Sequence, residues 1–574
     1  MKLKTPADFD QHRGRDKFES SILSYNNVSD GDIDGMFPDF GNLYYSLDDF
    51  TSIMSEIGQA NEFVDYIKNH ADSKYCVIGD YDCDGIMATT IMCYALTMCG
   101  IDCTYVCPDR FNDGYGMKEK HIDYAIASGC DVILTVDNGI TANGPIDYAH
   151  SKGLRVMVTD HHTPQGDNHA DVCVDPLYNK DEYQMSSGAT VAFKVAYLLW
   201  KEFGFDKRVL DDLEACAAIT VFSDVMPMVG ENRILVKAAM IYMNEQVRIE
   251  GSFINRLAKL VDYYVPGKRS DPYLNLDGTF RDFDKDNIDF YFVPIINAAN
   301  RVIGNVNDLV YDIMSLFSGE YNDIPHLYSG INQKRKYMRK DLNRLHRKDD
   351  GTDAVIEFLD TKDLMEDNYG GIVGLVASDV VEKEGKPALI GTERTPDGHG
   401  RYSGRSVSGF NLFEALTKIK ADHPELDFSF GGHAEALGFS CKDGDRAAIQ
   451  GYLSEAFDEY KKGATTEEET LIQLSGPDDV KSYIGAYSSL WPYGNRFEFP
   501  KFYAESTIKF YNKEDRTFTV NLLGWEYPIV FFDYDAKLRI ENYAFKNRQV
   551  IMKMRLCLME DPSGCVTLKL DRFL

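Results

Sequence analysis

The chain has 574 residues, 44% of them hydrophobic and 26% charged, which is typical of a globular protein of roughly three or four domains. No apolar run reaches the ~18 residues of a membrane span, and the N-terminus lacks the apolar region of a secretion signal. The formal net charge of −30 argues against a protein that coats nucleic acid indiscriminately. Twelve cysteines without a repeating framework indicate a reducing compartment, so we expect a cytoplasmic protein without membrane association.

The first part of the chain divides into a polar leader, residues 1–45, and an α/β region, residues 46–240. Leu47–His70 has apolar residues at helical spacing and is predicted to be helical. From Tyr75 onward, strand-like runs alternate with helical ones, which predicts βαβ units around a parallel sheet. Short buried strands are predicted at Tyr75–Ile78, Val132–Val136, Arg155–Val158 and Thr220–Phe222.

Acidic residues follow each of these predicted strands, in the segments GDYDCDG, VDNG, TDHH and FSD. The carboxyl ends of parallel strands converge on one crevice, so these side chains are expected to meet. Carboxylates packed together raise one another's pKa, and a divalent metal relieves that repulsion. Carboxylate and imidazole ligands suit manganese or magnesium. The candidate metal-site residues are Asp80, Asp82, Asp84, Asp137, Asp160, His161, His162 and Asp224.

The middle of the chain, residues 241–350, is predicted to be a helical connector with an aromatic and acidic insert at 262–292. Its end carries a run of basic residues compatible with a helix, INQKRKYMRKDLNRLHRKDD. A basic helix in an acidic chain could form a track, that is, a row of positive charges that binds a phosphate backbone. A solvated surface helix explains the basic run equally well. The candidate track residues are Lys334, Arg335, Arg339 and Arg344.

The remaining chain is predicted to hold a second α/β region, a linker and a small β domain. Residues 351–462 alternate strand and helix patterns, and residues 463–484 are polar and acidic enough for a linker. Residues 485–574 contain short alternating strands, which predicts an OB-like barrel.

The ordered set of DYDCDG, VDNG, DHH and Asp224 resembles the DHH phosphoesterase superfamily. PDRFNDGYG, PIINAANR, GRSVSGFNLFEAL and GGHAEALGF are similar to patterns of RecJ-type single-strand exonucleases, the last two to the DHH-associated domain. The resemblance runs from about residue 45 to at least residue 505. Asn300 and Thr190 stand where the family often has glycine. The segment PYGNRFEFPKF resembles the family's PFGxGN-type entry to its barrel domain, but in a compressed form.

The resemblance implies an α/β fold: a parallel-sheet DHH domain and a second α/β DHH-associated domain joined by helices, with the OB-like barrel after them. It also implies two divalent ions, Mn²⁺ first and Mg²⁺ as the alternative, with Asp137 bridging them and Asp160 either a ligand or an orienting group. The implied metal ligands are Asp80, Asp82, Asp84, Asp137, His161 and Asp224. The implied catalytic residues are Asp137, His162 and His433. The implied substrate contacts are Arg110, Asn138, Arg301, Arg405, Ser406, Gly431, Gly432 and His433.

Three functions are compatible with these residues. The resemblance implies a 5′-to-3′ exonuclease on single-stranded DNA in repair, recombination or replication, in a prokaryotic cell, with a phage-encoded variant left open. A phosphodiesterase for short oligoribonucleotides or cyclic dinucleotides would use the same metal site but needs no barrel. An inactive scaffold is disfavoured because every expected ligand is present. A single-strand binding protein or a helicase is the expected protein partner, although no segment identifies one.

Overall fold

A computed structural model of the protein describes residues 2–38, 46–260, 264–265, 268–269, 283, 285, 288–319, 325–346, 352–364, 368–395, 397–463, 469–474, 477–506, 508–512, 517–522, 525–530, 552–560 and 566–573. Most of the predicted insert at 262–292 and the basic residues beyond 346 lie outside these ranges. Within them, no helix has both the length and the apolar character needed to cross a bilayer.

A parallel sheet of five strands organises the first domain. In spatial order its strands are Cys103–Val106, Tyr75–Ile78, Val132–Val136, Arg155–Thr159 and Val172–Val174. The helices of this domain are Cys83–Met98, Glu119–Ala127, Asn143–Ser151, Gly188–Phe203 and Lys207–Ser223. Alternate strand residues belong to two separate hydrophobic cores, so both faces of the sheet are covered. The strand order changes direction beside Tyr75–Ile78, which makes the crevice next to this strand a switch point for ligand binding.

Two local predictions in this domain are wrong. Thr220–Phe222 is not a strand but lies in the last turns of helix Lys207–Ser223, because the apolar residues before it continue the helix. A short apolar run cannot be told from a buried helix segment by periodicity alone. The predicted helix Leu47–His70 is two helices, Leu47–Ile53 and Ala60–Asn69.

The connector is helical, as predicted. Its helices are Gly230–Gln246, Phe253–Leu260, Val293–Val302, Asn307–Ser318 and Pro325–Leu345. The first of them runs through residue 240, where the predicted boundary lies. Helix Val293–Val302 brings its residues against the loop that follows strand Tyr75–Ile78.

The second α/β domain contains a mixed sheet of five strands with a hydrophobic core of its own. In spatial order the strands are Phe428–Gly432, Ala436–Cys441, Gly400–Arg405, Ala388–Arg394 and Val355–Phe358. The helices are Val373–Glu384, Leu412–Asp422 and Arg446–Gly463. The predicted α/β architecture of this region is confirmed.

A third sheet joins the two ends of the chain. Its eight strands, in spatial order, are Lys2–Lys4, Thr470–Gln473, Phe502–Ser506, Met552–Glu560, Val566–Phe573, Trp525–Val530, Thr517–Leu522 and Ile508–Asn512. The sheet is not closed, so these pairings do not confirm the predicted barrel. The predicted leader also contains helices Lys17–Tyr25 and Asp30–Met36, and the predicted linker contributes a strand and helix Pro477–Ser489.

Arg233 attaches both ends of the chain to the first domain. Its guanidinium is wholly buried and donates hydrogen bonds to the carbonyl oxygens of Leu490 and Pro492. The same group lies 4.5 Å from the ring centroid of Phe37 and 4.6 Å from that of Phe497. One buried cation therefore contacts the N-terminal and the C-terminal segments together.

Candidate metal centre

The predicted acidic residues meet at the switch point of the parallel sheet. Asp80, Asp82 and Asp84 follow strand Tyr75–Ile78, and Asp82 caps the next helix by accepting a 3.1 Å hydrogen bond from the amide of Gly85. Asp137 directly follows the neighbouring strand and has a left-handed backbone, with φ of 58°. The backbone of this loop therefore turns sharply where the carboxylate enters the crevice.

Three overlapping groups of side chains have the geometry of metal ligands. The first is Asp80, Asp82 and Asp137, the second is Asp84, His161 and Asp224, and the third is Asp137, Asp160, His161 and His162; within each group the ligand atoms lie within 4.8 Å of one another. Nε2 of His161 lies 3.2 Å from Oδ1 of Asp137 and 3.7 Å from Oδ2 of both Asp84 and Asp224. Asp137 thus belongs to the first and third groups and touches the second, as a bridging carboxylate would.

The charge balance of the centre fits bound cations. Oδ1 of Asp80 and Oδ1 of Asp137 are buried and accept no hydrogen bond from the described residues. Burial and the neighbouring carboxylate of Asp84 raise the pKa of Asp137 well above its ordinary value. The same two causes raise the pKa of Asp224 to about 7. Oxygen and imidazole donors with this much uncompensated charge fit two divalent ions of the manganese or magnesium type.

The N-terminus of helix Gly188–Phe203 donates hydrogen bonds to the metal centre. The carboxylate of Asp84 accepts hydrogen bonds from the backbone amides of Gly188 (2.7 Å) and Ala189 (2.9 Å), at the N-terminus of helix Gly188–Phe203. A Cβ atom on Gly188 would lie 2.5 Å from Oδ1 of Asp137. Position 188 in the segment SSGA is therefore a glycine, because the carboxylate of Asp137 occupies the space that a side chain would need.

Asp160 orients the two histidines. Its Oδ1 accepts hydrogen bonds from Nδ1 of His162 and from the backbone amide of His161, both at 2.7 Å, and its Oδ2 accepts one from the amide of Ile140 at 2.9 Å. Burial acts to raise the pKa of Asp160, but the bond and charge of His162 outweigh it and hold this pKa below its usual value. Of the two roles considered for Asp160, these bonds favour orientation.

Tyr115 was not among the predicted site residues. Its hydroxyl lies 3.1 Å from Nδ1 and 3.3 Å from Nε2 of His162, and 3.4 Å from the carbonyl oxygen of Asp137. It belongs to the motif PDRFNDGYG, but a tyrosine in a glycine-rich loop carries no chemical signal of its own.

Two asparagines of helix Val293–Val302 form hydrogen bonds with the backbone around Asp82. Oδ1 of Asn297 accepts a hydrogen bond from the amide of Cys83, and Nδ2 of Asn300 donates one to the carbonyl oxygen of Tyr81, both at 2.9 Å. The departure at residue 300 therefore adds a contact to the metal-binding loop.

The charges of the predicted substrate arginines Arg110, Arg301 and Arg405 act on one another, and Arg301 is also influenced by Arg335 of the basic helix and by Asp82. Burial and the nearby charges of Arg110, Arg335 and Arg405 lower the pKa of Arg301 to about 9. Burial and Arg110 likewise lower the pKa of Arg405. The guanidinium of Arg110 also lies over the ring of Tyr81, 5.2 Å from its centroid. Arginines that repel one another in this way form a natural site for an anion.

Other predicted contacts are placed differently. Asn138 is fully buried, and its Nδ2 donates to the carbonyl oxygens of Ile78 (3.1 Å) and Val136 (2.9 Å), so it ties two strand ends together instead of facing a substrate. The hydroxyl of Ser406 donates to the carbonyl oxygen of Phe410. Gly431, Gly432 and His433 lie in an exposed hairpin, and none of the described contacts joins His433 to the metal centre.

The four predicted track residues do not form one basic surface. Arg335 is buried, and Arg339 is paired with Asp379 of the second domain through a 2.8 Å bond from Nε. Lys334 and Arg344 are exposed, and Arg344 lies 3.4 Å from Asp341. Helical periodicity points Arg335 inward while Arg339 remains partly exposed, and a role of these residues in DNA binding stays a prediction.

Family models match two regions that coincide with the two α/β domains. Residues 74–220 match the DHH family, N-terminal domain, and residues 354–462 match the DHHA1 domain. The chain therefore carries a DHH domain and a DHHA1 domain.

Its curated relatives are RecJ proteins. The chain is 29% identical over 439 residues to the single-stranded-DNA-specific exonuclease RecJ of Bacillus subtilis, covering 74% of this chain and 50% of the relative. It is 27% identical over 460 residues to the protein of that name from Escherichia coli, covering 75% and 74%. The chain thus spans half the length of the Bacillus relative. The structure of RecJ with Mn²⁺ from Thermus thermophilus aligns with a TM-score of 0.70 at 20% identity, covering 97% of this chain and 76% of that one, which shows a common fold.

Proposed function

We propose that the protein is a metal-dependent exonuclease that removes nucleotides from single-stranded DNA in the 5′-to-3′ direction, with Mn²⁺ or Mg²⁺ at the centre. Its place would be the cytoplasm of a prokaryotic cell, in DNA repair, recombination or replication. The observation that carries the proposal is the juxtaposition of Asp82, a ligand of the centre, with the arginine cluster. The carboxylates of the centre suit cations and the arginines suit a phosphate. Phosphodiester hydrolysis requires both.

The names of the curated relatives support the choice of substrate, because both are single-stranded-DNA-specific exonucleases. Two bound divalent ions would lower the pKa of a water molecule and offset charge on the attacked phosphate. Asp137 contacts the first and second ligand groups and would hold their spacing. Arg110, Arg301 and Arg405 would bind and orient the phosphate, with Arg335 behind them.

His162 is suited to handling a proton at the leaving oxygen. Burial acts to lower its pKa, but the hydrogen bond to Asp160 outweighs burial and raises this pKa to about 9. Nδ1 is engaged by Asp160, so Nε2, which lies 3.3 Å from the hydroxyl of Tyr115, is the atom that would donate to a substrate oxygen.

The C-terminal strands support an OB-like platform for the DNA. Phe502–Ser506 and Ile508–Asn512 are separated by one residue, and they pair with opposite ends of the remaining strand set, Met552–Glu560 and Thr517–Leu522. Joined as one long strand, they would close those strands into a ring. Such barrels bind single strands through basic grooves and stacking aromatics. A single-strand binding protein or a helicase is the partner that such an enzyme would need.

The test uses full-length protein with Mn²⁺ and single-stranded DNA labelled at either end, beside duplex DNA, a short RNA and a cyclic dinucleotide. We expect stepwise loss from the 5′ end of single-stranded DNA only. Asp137→Asn should lower the rate about 1,000-fold or more, because the carboxylate that contacts the first and second ligand groups loses its charge. Asp147→Asn, a change at an exposed aspartate paired with His169, should leave the rate unchanged.

Cleavage of short RNA or cyclic dinucleotides alone would replace the proposal with a small phosphodiesterase. Equal activity of the Asp137→Asn variant would identify a contaminating nuclease. Loss from the 3′ end would overturn the direction while leaving the chemistry intact.

A further inference from the structure

The turn that follows the metal-site residue Asp224 has an unusual backbone. Asp224 ends helix Lys207–Ser223, and the next residue, Val225, has a φ of +53°. The amide of Val225 donates to the carbonyl oxygen of Phe222 (3.1 Å), and the amide of Met226 donates to that of Val221 (2.9 Å). This pair of bonds defines a Schellman motif, in which glycine is the usual residue at the left-handed position.

Valine is poorly suited to that position. A β-branched residue with positive φ is a genuine outlier, since its side chain crowds the backbone. Val225 is also 64% exposed, so burial of its side chain does not hold the turn. A conformation of this kind persists only where the surrounding structure fixes it.

A loop from the far end of the chain supplies the missing support. Nδ2 of Asn495 donates a 2.7 Å hydrogen bond to the carbonyl oxygen of Val225, and the carbonyl oxygen of Asn495 accepts one of 2.7 Å from the amide of Met228. A Cβ on Gly494 would lie 3.0 Å from Cε of Met228, so the two segments are in close contact. Asn495 thus bonds both to the left-handed residue of the turn and to the segment that follows it.

We propose that Asn495 is a positioning residue of the metal centre: it holds Val225 in its left-handed conformation and so fixes the direction in which Asp224 presents its carboxylate. The loop around residue 495 lies between strands Thr470–Gln473 and Phe502–Ser506 of the eight-stranded sheet, so docking of that region completes the second ligand group. This inference rests on the metal centre of the proposed function, but not on the substrate or on the direction of hydrolysis.

The experiment measures Mn²⁺ binding to the full chain, stripped of metal, by electron paramagnetic resonance, with no DNA present. Wild type is expected to bind two ions. Asn495→Ala should weaken one of the two sites about tenfold or more, as the loss of groups that orient ligands does elsewhere. Glu498→Ala is the matched control, because this exposed residue of the same loop bonds through its backbone.

A second substitution separates positioning from general loss of structure. Val225→Gly removes the crowding, so that the turn no longer depends on Asn495. Val225→Gly alone should bind Mn²⁺ as wild type does, and Val225→Gly combined with Asn495→Ala should regain most of the lost affinity. A merely structural role for Asn495 would leave the double variant as weak as Asn495→Ala.

Wild-type affinity in Asn495→Ala, absence of recovery in the double variant, or an equal loss in Glu498→Ala would each overturn the inference. A protein that binds two Mn²⁺ ions and shows this pattern, yet degrades no DNA, would refute the proposed function alone.

Discussion

At Gly188 the space for a side chain is taken by the carboxylate of Asp137. The backbone amide of this residue also holds Asp84, so position 188 contacts members of the first and second ligand groups. A helix-starting residue that lies far from the acidic motifs in sequence therefore limits how those motifs can be arranged.

Gly188→Ala should displace Asp137 and cost the centre its Mn²⁺ affinity, because the new methyl group would lie 2.5 Å from Oδ1. We expect a loss of at least about tenfold, the size seen when groups supporting metal ligands are removed. Mn²⁺ titration of the variant checks this expectation.

Gly451→Ala is the matched control. A Cβ at that position meets nothing within 4 Å, and the residue lies inside helix Arg446–Gly463. Alanine there should leave metal binding unchanged and stabilise the helix by up to about 1 kcal/mol. Unchanged Mn²⁺ affinity in Gly188→Ala would mean that the helix start shifts to make room.

The metal ligands could be predicted because each is marked twice, by an acidic or imidazole side chain and by its place after an apolar run. Tyr115, Asn297 and Asn300 carry no such mark. Asn297 meets Cys83 across more than two hundred residues of chain, so its role exists only after folding. At Asn138 the sequence did not indicate that Nδ2 joins two strand ends.

At the scale of elements, His346 connects the end of helix Pro325–Leu345 to the second domain. Its Nε2 lies 2.9 Å from Oε1 of Glu384, and its Nδ1 is bonded to Glu357. The hydrogen bond to Glu357, opposed by burial and assisted by Glu384, raises the pKa of His346 above its ordinary value. The protonated ring is thus a link between a connector helix, a strand and a second helix.

Stability from His346 should depend on pH. A pKa raised by folding gives stabilisation that is complete below the unfolded value of about 6.5 and lost as pH rises through the folded value. His346→Gln should therefore lower the thermal midpoint clearly at pH 6 and progressively less towards pH 9. Unfolding of both proteins across this range checks the trend.

His169→Gln provides the comparison, because His169 is exposed and a surface pair such as its contact with Asp147 contributes little, so the thermal midpoint should stay nearly unchanged. A pH-independent difference for His346→Gln would mean that the ring contributes packing and not charge.

Element type was predictable where the apolar run was long, as in the helix Cys83–Met98, which is buried on all sides. It failed at Thr220–Phe222 because a run of three residues, two of them apolar, fits either a strand or a helix, and only the residues packed around them decide. The basic helix was predicted as an element, but the inward direction of Arg335 was missed.

At the scale of the whole molecule, Arg233 holds the N-terminal and C-terminal segments on the first domain. Arg233→Met should cost more than about 3 kcal/mol, because the carbonyl groups of Leu490 and Pro492 lose a buried, charged donor. We expect a lower unfolding midpoint and faster proteolysis within residues 2–38.

Arg208→Met, at an exposed arginine paired with Asp206, is the control and should leave both measurements unchanged. If Arg233→Met resisted proteolysis as wild type does, the ends of the chain would be held by other contacts.

The parallel pairing of Lys2–Lys4 with Thr470–Ile472 has a consequence for biosynthesis. A ribosome adding about 5–20 residues per second needs about 25–90 s to reach the partner of this strand. Throughout that time strand Lys2–Lys4 lacks its neighbour, while the first domain is already complete enough to collapse. Chaperones that bind emerging chains would therefore find a long-lived target in this strand.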